Sequence, residues 1–197
     1  MKKLIISLLS LLSLFTYSQN VVYDQIAPNG SHVIMTKPKN FIIENQDYDF
    51  SLRYYESEHD MNWRVTLATD KKIPQDNIVL LKLKNGQTIK LVVDSLLENT
   101  YTVGGNVIYH SPSISTVQPS ITRTAYFSES NIKIEELDSI EAYGISKIRL
   151  GNNVKYYEEE WTNNPLGKFL TKCRKKIAER LQNSKEPKNK KSIYDGF

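Results

Sequence analysis

Residues 78–93 read I-V-L-L-K-L-K-N-G-Q-T-I-K-L-V-V, and the parity of their faces decides how the fold is read. Two β-rich runs, 78–84 and 87–93, flank Asn85-Gly86, a strong hairpin signal. A two-residue turn would set Lys82 beside Ile89 and Leu83 beside Thr88. A three-residue loop, Lys84-Asn85-Gly86, with Gly86 left-handed in a G1 bulge, instead pairs Leu83 with Gln87, Leu81 with Ile89 and Val79 with Leu91. One face then holds Val79, Leu81, Leu83, Ile89, Leu91 and Val93. A one-residue slip exchanges the faces, so burial selects the three-residue loop. The opposite face carries Lys82, Lys84, Thr88 and Lys90 near the turn, but Ile78, Leu80 and Val92 at the far end. That second apolar patch predicts a cover, naturally a helix. The hairpin is expected at the centre of the sheet.

The neighbouring segments extend this sheet. Residues 48–55 alternate, with Tyr48, Phe50, Leu52 and Tyr54 inward; residues 63–68 do the same through Trp63, Val65 and Leu67. The polar segment 56–62 joins them as a hairpin loop. Short strands at 32–36 and 41–44 are separated by the turn-prone Lys37-Pro38-Lys39-Asn40. Residues 94–118 are irregular, with a short hairpin of 101–103 and 107–110 around Gly104-Gly105. Residues 121–127 alternate as a strand, and 146–150 and 154–161 are two more.

Two helices are expected. The first covers 130–143, with Ser130 as N-cap, Ile134, Leu137 and Ile140 on one side, and Gly144 as C′ residue. Ile145 would complete a Schellman ending by reaching back to Ile140. The second covers 164–181, with Asn164 as N-cap and Pro165 at N1. Its apolar stripe is Leu166, Phe169, Leu170, Cys173, Ile177 and Leu181. The fold class is therefore α+β: a mainly antiparallel sheet built around the 78–93 hairpin and packed against two helices, at about 130–143 and 164–181.

Residues 1–20 read M-K-K-L-I-I-S-L-L-S-L-L-S-L-F-T-Y-S-Q-N. Lys2 and Lys3 precede an apolar run over 4–15, and Thr16 and Ser18 suit the −3 and −1 positions of a cleavage site. This predicts a signal peptide over 1–18, a single α+β domain over 19–181 and a disordered basic tail over 182–197. The apolar run is short for a membrane span, so no transmembrane span is expected once the signal is removed. The expected location is the periplasm, the outer-membrane surface or the exterior. An exported chain whose one cysteine is Cys173 has no internal disulfide, so its core must hold it together.

The formal net charge of +4 conceals an asymmetry. Residues 162–197 carry ten Lys and Arg against Glu179, Glu186 and Asp195, while residues 19–161 are net acidic. Lys168, Lys172, Arg174, Lys175 and Arg180 form the polar face of the last helix, and Lys185, Lys188, Lys190 and Lys191 continue into the tail. This is the candidate surface for a polyanion or partner. The plainer reading is a solvated helix face with a soluble tail.

Other candidates for chemistry are weaker. Glu56, Glu58, His59 and Asp60 concentrate carboxylates and an imidazole, a weak candidate metal site. Their spacing matches no established metal loop, and a solvated hairpin tip explains them. His32, His59 and His110 show no paired spacing, and the usual hydrolase, zinc and phosphate-loop motifs are missing from the sequence. Cys173 with His110 as base is a conceivable nucleophile, but its place on an apolar stripe suits a buried small hydrophobe. Glu158 and Glu160 share a strand face and form a carboxylate pair, or else guard an edge strand. No catalytic residue and no cofactor are expected.

The Trp63 strand, the Leu81-Lys82-Leu83-Lys84-Asn85-Gly86 hairpin, the Gly144-Ile145-Ser146-Lys147-Ile148-Arg149 strand entry before an amphipathic helix, and the Tyr17-Ser18-Gln19 signal end resemble small exported Bacteroidota proteins of unknown function. The resemblance spans roughly residues 45–181 and is structural. It also implies candidate O-glycosylation triplets at Asp94-Ser95-Leu96 and Asp138-Ser139-Ile140. The reading that follows is a non-enzymatic binding or structural module of the bacterial cell envelope, its partner an envelope protein or an anionic envelope surface. Nucleic acid is disfavoured as a partner. The alternatives are an exported hydrolase with a site assembled from scattered residues, and an inhibitor or accessory subunit of another envelope protein.

Overall fold

The computed structural model describes residues 21–26, 30–58, 60–73, 76–103, 107–111, 114–117, 121–152 and 154–185. The chain runs β1 (Val21–Ile26), β2 (His32–Thr36), β3 (Lys39–Ile43), β4 (Gln46–Glu56), β5 (Met61–Thr69), β6 (Ile78–Leu83) and β7 (Thr88–Val92). It continues β8 (Ser95–Val103), β9 (Val107–Ser111), β10 (Ile114–Val117), β11 (Ile121–Ile132), α1 (Ile134–Tyr143), β12 (Ile145–Gly151), β13 (Tyr156–Glu160) and α2 (Pro165–Lys185). The class is α+β, mainly antiparallel, with two helices, as the alternating patterns predict.

The strands divide between two main sheets. The larger is a curled half-barrel in the order β1-β2-β4-β5-β11-β8, with β3 also paired to β4. The smaller has the order β13-β12-β6-β7, and β9 pairs with β10 as a separate ribbon. Phe50, Leu52 and Leu67 from the larger sheet meet Leu81, Ile89 and Ile148 from the smaller one in a shared core. Both helices contribute to it, through Leu137 and Ile140 of α1 and Leu166, Leu170 and Ile177 of α2. Among the described residues, no helix is long and apolar enough to cross a membrane.

The β6–β7 hairpin has the register that burial selects. Val79 pairs with Leu91 and Leu81 with Ile89. Leu83 N–H donates to the Gln87 carbonyl at 2.8 Å, and Gly86 N–H donates to the Leu83 carbonyl at 3.0 Å. Gly86 sits at φ +89°, the left-handed residue of the three-residue loop. The hairpin's position differs from expectation. It lies in the smaller sheet with β7 at the edge, where a lysine-bearing outer face is tolerated and discourages pairing with other chains. The second apolar patch has no helical cover, because both helices are spent on the core face. Val92 is 53% exposed. Ile78 and Leu80 are half-buried beside Arg149 and Tyr156, whose guanidinium and ring stack at 4.5 Å around a shallow recess.

Three other expectations are corrected. Ser130 does not cap a helix; it pairs with Val65 inside β11 and is buried. Ser128, Ser130 and Ile132 alternate inward against β5, so cross-strand pairing overrides the local capping preference. The helix starts after Lys133, whose N–H donates to the Glu136 carboxylate at 2.8 Å. Residues 95–103 are a full strand paired with β11, not part of an irregular stretch. The expected hairpin of 101–103 with 107–110 does not form, since β9 pairs with β10. Gly104-Gly105 itself lies outside the described residues, as do 1–20 and 186–197.

The α1–α2 junction is also distinctive. Gly144 ends α1 at φ +72°, and its N–H donates to the Ile140 carbonyl at 2.9 Å. Ile145 is buried, but its N–H goes to the Asn164 side chain rather than back into α1, so no Schellman ending forms. Pro165 is the first residue of α2, as predicted, and the Lys168 N–H donates to the Asn164 carbonyl at 3.1 Å.

Candidate anion-binding groove

α2 carries two adjacent stripes. Lys168, Lys172 and Lys176 recur every fourth residue, beside Phe169, Cys173 and Ile177. Four-residue steps keep each set on one side of a helix. The second wall comes from the Lys37-Pro38 link and Lys39, about 130 residues earlier in the chain. β2 and β3 both pair with β4, one after the other, and the link is the break between them. Thr36 seals that break. Its buried hydroxyl accepts the Leu52 N–H at 3.0 Å and donates to the Leu52 carbonyl at 3.1 Å. A strand break normally strands these backbone groups; here one side chain satisfies both.

The two walls enclose an open groove of about 510 Å³. Its exposed rim carries Lys37, Lys39, Lys168 and Lys172, with half-buried Lys176 beside them, and among the described residues no acidic side chain lines it. Its floor is Pro165, Phe169 and Cys173, while Pro38 is exposed at the rim. Lys39 Nζ lies 5.3 Å from the Phe41 ring centre and 6.0 Å from that of Phe169, within cation–π range. Lys176 Nζ pairs with Glu179 at 2.8 Å along the helix. Among the described residues, Lys37, Lys168 and Lys172 enter no ion pair. Burial pushes the Cys173 thiol up to about 11, against the opposing pull of Thr36, Lys172 and Lys39. At neutral pH it is a protonated, apolar floor residue and a poor nucleophile.

The structure divides the predicted basic surface. Lys168 and Lys172 face the groove. Arg174 instead reaches α1, pairing with Asp138 at 2.6 Å and Glu141 at 3.6 Å. Lys175 pairs with Glu141 at 2.8 Å. Arg180 is exposed further along α2. Lys185 is the last residue of α2, and Lys188, Lys190 and Lys191 lie outside the described residues. Sequence reasoning missed Lys37, Lys39 and Lys176 as members of one site. The four-residue lysine spacing was an available signal; the convergence of the 37–39 turn was not.

The other candidates fall elsewhere. Glu56, Glu58 and Asp60 occupy the β4–β5 tip, where the Ser57 N–H donates to the Asp60 carbonyl at 2.9 Å and Asn62 donates to the Asp60 carboxylate. His59 lies outside the described residues, and among those described no cluster of three metal-ligating side chains occurs. Glu158 and Glu160 do share a face of β13, an edge strand, and Lys147 bridges them. Arg149 adds a second cation to Glu158 at 2.6 Å. Hydrogen bonding from Lys147 and Arg149 holds the Glu158 carboxyl below its usual range, the opposite of what a catalytic acid needs.

A second charged cluster was not anticipated. Arg53 and Arg64 are directly opposed across β4 and β5, and Glu129 of β11 accepts from both, from Arg64 at 3.1 Å. The Glu129 side chain is only 7% exposed. Tyr55 stacks against the Arg64 guanidinium at 4.9 Å, and its hydroxyl accepts from Arg53 at 2.8 Å. The cluster joins three strands, and Arg53 also donates to the Met35 sulfur of β2 at 3.2 Å, while the Nε atoms of Arg53 and Arg64 are buried without a hydrogen-bond partner.

Compared with known protein families, curated proteins and solved structures, the chain finds no match.

Proposed function

We propose that this chain is a non-enzymatic binding module of the bacterial cell envelope that takes an anionic ligand or surface in the groove between the 37–39 turn and α2. One observation carries the reading: five lysines from two distant segments line one groove, and among the described residues Lys37, Lys168 and Lys172 enter no ion pair and no acidic side chain lines it. Like charges so placed repel one another, and an anion relieves that repulsion. Lys168 and Lys172 contrast with Arg174 and Lys175 of the same helix, which are already paired to α1. Export, suggested by residues 1–18, would bring the groove to anionic envelope surfaces.

Sedimentation of the chain with its own envelope membranes tests this. The native chain should pellet at low salt and release as salt rises. A Lys37→Glu, Lys168→Glu, Lys172→Glu variant should stay in the supernatant. Equal pelleting of the variant would sink the proposal.

A second reading, an accessory subunit, has its own support. β1 is an edge strand with Val22 51% and Ile26 73% exposed, a template for strand addition by a protein partner. A charge-independent, stoichiometric partner lost on replacing Val22 and Ile26 with lysine would favour it.

A further inference from the structure

We infer that the groove holds one molecule of an anionic amphiphile, an acyl or alkyl chain bearing a phosphate head, as in an anionic lipid of the envelope. This rests on the anion-binding reading above and names its ligand class. The rim and the floor ask for different chemistry. The rim is cationic, and its cations are all lysines. Lysine ammonium groups are point charges on flexible stems, without the rigid fork with which arginine grips a single phosphate. They suit a head group held loosely at a mouth, while their stems extend the apolar wall. The floor is Phe169, Pro165 and a protonated Cys173. A bare polyanion would leave that floor wet, and a neutral apolar chain would leave Lys37, Lys168 and Lys172 without a counter-charge.

Size and polarity narrow the choice further. About 510 Å³ lies within the range of small-molecule sites. Among the described residues, the one polar side chain lining the groove apart from the lysines is Asn163. An extended acidic peptide would bring a row of backbone N–H and C=O groups into a groove with few partners for them. An alkyl chain brings none.

Calorimetric titration of the purified full chain with decyl phosphate below its micelle concentration, hexyl phosphate, inorganic phosphate, decanol and an oligoglutamate peptide tests this. Decyl phosphate should bind one to one and at least about tenfold tighter than hexyl phosphate, since each buried methylene is worth roughly a factor of four. It should also bind tighter than inorganic phosphate or decanol. Lys168→Glu with Lys172→Glu should weaken decyl phosphate at least about tenfold, and Phe169→Ala should flatten the dependence on chain length. Near-ultraviolet circular dichroism of each variant, with Phe169→Leu as a milder change, separates lost binding from lost folding. Equal affinity for inorganic and decyl phosphate would overturn the amphiphile and leave anion binding standing. Tighter oligoglutamate than decyl phosphate would replace it with an acidic protein partner. Decanol matching decyl phosphate, or no binding of any anion, would overturn both this inference and the reading beneath it.

Discussion

The side-chain oxygen of Asn164 accepts the backbone N–H of Ile145 at 2.7 Å, across nineteen residues of chain. One side chain thereby fastens the start of β12 to the start of α2. The fit is tight: a Cβ at Gly144 would come within 2.4 Å of the Asn164 amide nitrogen, and one at Gly167 within 2.1 Å of its oxygen. Asn164 itself adopts φ +51°, a conformation asparagine tolerates. Asn164→Ala should destabilise the chain by about 1–3 kcal/mol, the range for stranding a buried N–H. Gly167→Ala should be at least as damaging, because its new methyl meets the Asn164 side chain. Urea denaturation of both variants checks this; an unchanged midpoint for Asn164→Ala would remove the junction's importance.

Glu129 is predicted to be the keystone of the larger sheet. Arg53 and Arg64 are cross-strand neighbours, an arrangement that repels unless an anion sits between them. Glu129→Gln keeps the shape and removes the charge, and should cost about 3–5 kcal/mol, as when one partner of a buried ion pair is lost. Replacing all three residues with apolar side chains of similar size should cost far less. A Glu129→Gln variant as stable as the native chain would contradict this assignment.

Cys173 gives a pH signature. Its thiol is raised from an ordinary value of about 9 to about 11 in the folded chain. The folded state therefore binds the proton more tightly. The contribution is fully present below about pH 9 and fades as pH rises towards 11, by roughly 2–3 kcal/mol. The unfolding free energy of the native chain should fall more steeply between about pH 9 and 11 than that of Cys173→Ala. Parallel curves would show that the thiol is not buried as described.

Much of this architecture is legible in the sequence, and the exceptions share a cause. The β6–β7 register follows from face parity because a slip would bury Lys82 and expose Leu81. β4, β5 and α2 likewise carry periodic apolar residues along their length, and Pro165 marks the helix start. Ser130 misleads because its partner, Val65, is 65 residues away, so a local cap signal competes with an unseen ladder. The groove is legible only on its α2 side. Lys37 and Lys39 look like ordinary turn residues until the chain folds them against Lys168 and Lys172.

Gly86 offers a narrower test of the hairpin. Its φ of +89° is strained for any residue with a side chain, although the space around a Cβ there is open. Gly86→Ala should therefore cost about 1 kcal/mol through backbone strain alone, and Gly86→Asn less. Equal stability of Gly86→Ala, by thermal unfolding, would contradict the three-residue loop.

Truncation after Leu181 separates groove from tail. It removes Lys185, Lys188, Lys190 and Lys191 but leaves every described residue that lines the groove. Membrane binding should survive truncation with only a modest fall, consistent with lost long-range attraction. Loss as complete as in the Lys37→Glu, Lys168→Glu, Lys172→Glu variant would move the binding function to the tail.

The most direct measurement is nuclear magnetic resonance of the lysine ammonium and adjacent methylene groups during titration with decyl phosphate. Lys37, Lys39, Lys168 and Lys172 should shift together, with a common dissociation constant, while Lys175, already paired with Glu141, stays still. Shifts confined to Lys185, Lys188, Lys190 and Lys191, with the groove lysines unmoved, would contradict the assignment of this groove as the binding site.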